Sequence, residues 1–178
     1  MKILLILLSA ISLLLNKENN DEMRYKEAYS YITHSPDVQE NLQNLFGDSL
    51  SIWVSDEVLS FSYWPFERNV VEFKYENYND SIKTVLIDLL ECNFPASEPL
   101  QMKRKYLTSF NNGEKGCLLL FFSNINYPWL SAEIFRYDNR FSKNYHEAIK
   151  MPANVLHILL YFEKEEIKNA FFAKGSRH

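Results

Sequence analysis

CLLLFFSNINYPWLSAEIFRY, residues Cys117–Tyr137, is the stretch on which the architecture of this chain turns. Cys117 to Phe122 is apolar throughout, which suits a strand buried on both faces at the centre of a sheet. Asn124 to Pro128 interrupts the run as a loop. Trp129 to Tyr137 then alternates, with Leu130, Ala132 and Ile134 on one face and Ser131 and Glu133 on the other. Beyond a polar loop, Asp138 to Asn144, Val155 to Phe162 is again strongly apolar. Glu163 to Glu166 turns the chain, and Ile167 to Ala173 pairs back. Consecutive strands with short connections pair as antiparallel neighbours, so the last third predicts a four-stranded meander.

Upstream of this sheet the periodicity changes from two to that of helices. Tyr25, Ala28, Tyr29 and Ile32 form one apolar stripe, predicting a helix from Asp21 to Thr33. Ser35-Pro36 restarts the chain as N-cap and first helical residue; Val38, Leu42 and Leu45 continue the apolar face, and Gly47 ends it. Leu50 to Val54 and Leu59 to Tyr63 alternate around Ser55-Asp56-Glu57, predicting a hairpin. Val70 to Tyr75 reads equally as strand or extended loop.

Asp80 can cap a helix over Ser81 to Glu91 whose apolar face is Ile82, Val85, Leu86, Leu89 and Leu90. Ser97-Glu98-Pro99 resembles another helix entrance, with Leu100, Leu107 and Phe110 inward and Lys103-Arg104-Lys105 outward. Amphipathic helices must bury their stripes, and the meander offers the surface. The expectation is an α+β fold with N-terminal helices packed on one face of an antiparallel meander sheet. That element order resembles the nuclear-transport-factor-2-like cone.

Composition narrows the functional classes. The 178 residues suit a single domain, placed here over residues 21–174, and 47% apolar against 24% charged residues is a globular balance. The aromatic share of 15% favours sheet packing or an aromatic-lined cleft. The net charge is −4, and Lys103-Arg104-Lys105 is the one short basic run, whereas nucleic-acid binding draws its affinity from a basic face. No nucleic-acid partner is therefore expected.

The N-terminus is the most informative segment for location. Met1-Lys2 is followed by Ile3 to Leu15, almost wholly apolar, and polarity returns at Asn16. Thirteen residues rise only about 20 Å as a helix, against roughly 30 Å of bilayer hydrocarbon. Residues 1–15 therefore read as a secretory signal, with Ala10-Ile11-Ser12 as a small-x-small cleavage site. The expectation is export to the periplasm, cell envelope or exterior. A membrane association follows only if the leader is retained. Cys92 and Cys117 would close one bridge in an oxidising compartment, worth roughly 3 to 4 kcal/mol by chain entropy. Their apolar neighbours favour two buried free thiols instead.

Chemistry-bearing constellations are sparse. His34 stands at a helix exit, His146 in a loop beside Glu147, and His178 at the terminus. His157 lies inside an apolar strand, with Glu133 on an expected sheet neighbour, which makes these two the catalytic candidates for proton transfer. Structural-zinc spacing, an acidic calcium loop and a nucleophile elbow are all missing from the sequence. Four glycines leave no phosphate-cradling loop, so neither metal nor cofactor is expected. Tyr63-Trp64-Pro65-Phe66 and Asn126-Tyr127-Pro128-Trp129 place Trp64, Tyr127 and Trp129 as candidate binding residues, since aromatic rings offer large contact area at low entropic cost.

Trp53-Val54-Ser55-Asp56, Leu120-Phe121-Phe122-Ser123, Leu130-Ser131-Ala132-Glu133 and Leu159-Leu160-Tyr161-Phe162 resemble uncharacterised small exported proteins of gut-dwelling bacteria. The resemblance spans the last two thirds of the chain. It implies export and an α+β domain and brings no active site with it. Together these readings favour a non-enzymatic domain that binds a small ligand or an envelope or extracellular protein. The alternative is a small cone-fold isomerase or hydrolase using the His157–Glu133 pair.

Overall fold

Strand pairing builds outward from the apolar segment at Leu118, as its two-sided burial requires. The computed structural model describes residues 20–47, 51–93, 98–111, 117–136, 145–148 and 153–177. Helices α1 (20–34) and α2 (Pro36–Phe46) come first, followed by strand β1 (Ile52–Leu59), helices α3 (Glu67–Lys74) and α4 (Asp80–Asn93), and strand β2 (Pro99–Lys103). A 3-10 helix (Lys105–Phe110) leads towards β3 (Leu118–Ser123), β4 (Trp129–Arg136), the one-turn helix α5 (Tyr145–Ala148), β5 (Ala153–Glu163) and β6 (Glu166–Arg177). The expected leader, residues 1–15, and the polar loop at 138–144 lie outside the described residues.

The six described strands form one sheet in the order β2-β1-β3-β4-β5-β6. β3 to β6 are the expected antiparallel meander. β1 lies parallel to β3, and β2 runs antiparallel along its outer side. A parallel pair cannot be closed by a tight turn, and the long excursion through α3, α4 and β2 supplies the crossover. The fold is α+β, with a mixed, mostly antiparallel sheet. Its closure into a nuclear-transport-factor-2-like cone is not established.

Three local readings are corrected. The hairpin expected over 50–63 is instead one strand, Ile52–Leu59, running through Ser55-Asp56-Glu57. Its pairing with β3 shifts register between Val54 and Val58. The Asn111 amide accepts from the Val54 N–H at 2.7 Å and donates to its carbonyl at 2.9 Å, in place of a strand neighbour. Ser55 Oγ accepts from the Glu57 N–H at 3.1 Å. Polar residues that resemble a turn are thus an irregularity inside a strand.

Val70 to Tyr75, read as strand or loop, falls mostly in helix α3, where Val70 and Val71 are buried. The helix expected after Ser97-Glu98-Pro99 is β2 and then a 3-10 turn, because Pro99 and Lys103 pair with Leu59 and Glu57 on the outer flank of β1. Leu107 still points inward and is fully buried.

Both faces of the sheet are covered, not one. On the first, α1 and α2 bring Tyr25, Ala28, Ile32, Val38 and Leu42 against the even-numbered residues of β4 and β5, among them Leu130, Ile134, Leu156 and Leu160. Tyr25 also donates its hydroxyl to the Ser123 carbonyl at 2.8 Å, tying α1 to β3, and burial pushes that phenol well above its ordinary range. Ser35-Pro36 starts α2 as expected, and Gly47 ends it at a φ of 89°, a conformation that favours glycine. On the second face, Phe61, Tyr63, Phe66 and Val70 cover Trp129 and Leu159, while Tyr145 of α5 covers Phe121, Phe135 and Val155.

Candidate functional site

The antiparallel register of β4 and β5 sets Glu133 directly opposite His157 on the second face. Both are 3% exposed, and Nδ1 of His157 lies 3.7 Å from Oε1 of Glu133. That separation is an ion-pair distance when the imidazole is protonated and too long for a hydrogen bond. Tyr145 donates its hydroxyl to Oε2 of the same carboxylate at 3.0 Å, and its backbone N–H donates to Oε2 of Glu57 at 2.6 Å. The one-turn helix α5 is thereby held to two acidic side chains.

The imidazole is closely walled. Trp64 packs edge-on against it at 4.8 Å between centroids. On β6 a Cβ at Gly175 would stand 3.0 Å from Nε2, so glycine there permits the strand to approach the ring. A general base must reach the proton that it abstracts, and Nε2 abuts backbone instead. The Tyr145 hydroxyl thus ties α5 to Glu133 of β4, with His157 of β5 across the ladder from that carboxylate. Such groups are tolerated inside a core when they satisfy one another.

The three aromatic candidates occupy different settings. Tyr127 is 54% exposed and carries the Arg24 guanidinium 4.6 Å above its ring. Trp64 is 41% exposed despite its edge against His157. Trp129 is 1% exposed, in an aromatic cluster with Tyr63, Phe73, Tyr161 and Phe171. Its buried indole N–H has no hydrogen-bond acceptor. Cys92 is exposed on α4 and Cys117 half-buried, so the expectation of two buried thiols fails for Cys92; neither is bridged. Among the described residues, no three His, Cys, Asp or Glu side chains gather as a metal site, and no helix is long and apolar enough to cross a membrane.

The largest departure from the sequence reading lies at α4. Its apolar stripe exists, but none of its fourteen side chains is buried. Ile82, Val85 and Leu89 are 44%, 58% and 51% exposed. Between α3 and α4 runs a groove of about 470 Å³, within the range of small-molecule sites. Val70, Leu86, Leu89 and Leu90 supply its apolar walls. Tyr63, Lys74, Tyr75 and Asn93 supply its polar groups, and none of the lining is acidic. Burial lowers the Lys74 ammonium from its ordinary value and raises the Tyr63 phenol. Lys74 Nζ sits 5.3 Å over the Trp129 ring.

The sequence signal for this groove is the α4 stripe itself. It marks a helix with an apolar face but does not say that α3, not the sheet, lies beside it. No protein-family model, curated protein or solved structure matches the chain.

Proposed function

We propose that this protein is an exported, non-enzymatic binding domain that takes an apolar ligand in the groove between α3 and α4. The observation that carries the reading is α4 itself, a fourteen-residue helix with an apolar stripe and no buried side chain, bordering a cavity of about 470 Å³. Exposed apolar area costs roughly 25 cal/mol per Å² relative to burial, and contiguous apolar surface of this kind marks interaction sites. Export rests on the apolar leader at residues 1–15.

The enclosed setting of His157 supports a binding role over proton-transfer catalysis. Titration with Nile red, a neutral dye that brightens in apolar surroundings, tests the reading. The folded protein should bind one equivalent saturably, and Leu86→Asp, at the half-exposed groove wall, should weaken binding at least about tenfold. Absence of saturable binding, or equal binding by that variant while it remains folded, contradicts the proposal.

A further inference from the structure

We infer that the groove between α3 and α4 is selective for a single-chain amphiphile ending in a carboxylate, with the charged end held at Lys74. The inference rests on the groove reading above and adds the chemistry of its occupant. Two observations support it. Lys74 is a partly desolvated cation on the groove wall, and no described carboxylate lies within ion-pair distance of it. The groove lining contains no acidic residue although the whole chain carries a net charge of −4.

A desolvated ammonium is stabilised by an anion brought beside it. A ligand oxygen carrying negative charge supplies that anion. One ammonium suits a monoanion, whereas a doubly charged phosphate is served better by arginine forks or several cations. Tyr63 and Tyr75 add neutral phenol groups at the same wall. The rest of the site is apolar: Val70, Leu86, Leu89 and Leu90 can line an extended hydrocarbon chain. An aliphatic chain with a terminal carboxylate meets these features.

Competition against bound Nile red on the full folded protein separates this inference from the broader one. Dodecanoate, dodecanol and dodecylammonium share one chain and differ only at the end. Dodecanoate should displace the dye at a concentration about tenfold lower than dodecanol, with dodecylammonium weakest. Lys74→Met should bring dodecanoate and dodecanol within about twofold, and Lys74→Arg should keep the preference. If Nile red binds and the acid and alcohol compete equally, or if Lys74→Met leaves the preference intact, the carboxylate assignment is overturned while the groove remains a binding site. If Nile red does not bind at all, both fall.

Discussion

Helices α2 and α4 carry comparable apolar stripes and meet opposite fates. α2 places Val38, Leu42 and Phe46 into the core, the first two with no exposure at all. α4 has Ile82, Val85, Leu86, Leu89 and Leu90 at helical spacing and buries none of them. The difference is not in the pattern but in what lies opposite. α2 faces the sheet through the same cluster as α1, whereas α4 faces the short helix α3 across an open groove. Periodicity specifies a helix and an apolar face; burial depends on which surface the chain delivers to that face. Leu90 packs against the second-face cluster, while Ile82, Val85 and Leu89 stay largely exposed, and the proposed binding role accounts for that exposed part of the stripe.

The sharpest way to break this comparison is truncation in each helix. Leu42→Ala should destabilise the fold by about 2–5 kcal/mol, because a fully enclosed side chain leaves a cavity. Leu89→Ala, at 51% exposure, should change stability by no more than about 0.5 kcal/mol while weakening Nile red binding. Urea denaturation of both variants measures the contrast. Similar losses would place α4 in the core after all.

The next test concerns the polar anchor that α1 provides on the first face. Tyr25→Phe removes the donor to the Ser123 carbonyl and should cost about 1–3 kcal/mol by the same assay. A smaller effect of comparable kind is expected on the second face. Gly175→Ala sets its Cβ 3.0 Å from His157 Nε2, so the enclosed ring must give by a few tenths of an ångström, at up to about 1 kcal/mol. The loss should shrink in a His157→Ala background, since the clashing ring is then absent.

The smallest expected effect is a pH dependence at α3. Burial pushes the Glu67 carboxyl above its ordinary range, and Glu91 of α4 adds to the rise. One of its oxygens, Oε1, is buried without a partner. A carboxyl that titrates higher in the folded state stabilises the fold below its unfolded value and loses that contribution as pH rises through the folded value. Glu67→Gln should therefore be the more stable form at neutral pH, with its advantage falling as pH drops through the carboxyl range. Thermal melts across that range measure the convergence.

The parts of the fold legible in sequence are those whose local pattern admits one environment. Leu118 to Phe122 is apolar at every position and can only be a central strand; β4 to β6 follow from alternation and short connections. Even the Glu133–His157 juxtaposition is legible, because it depends on meander register alone. The misread elements depend on distant partners. Ser55-Asp56-Glu57 becomes strand because Asn111, far along the chain, satisfies Val54. Pro99 to Lys103 becomes strand because the edge of β1 is available for pairing. The groove is hidden for the same reason: its far wall, α3, is short, and Val70 to Tyr75 matches no single period. Trp129 likewise reads as a candidate binding aromatic, whereas the fold of the 60–74 segment helps to bury it.

Amide hydrogen exchange on the intact protein, with and without dodecanoate, tests the central claim that α4 is a surface kept open for a ligand. Residues 82–90 should exchange readily alone and slow markedly on addition, with α2 protected in both states. Slow exchange of α4 without ligand, or no change in it once dodecanoate is present at saturating concentration, would contradict the account.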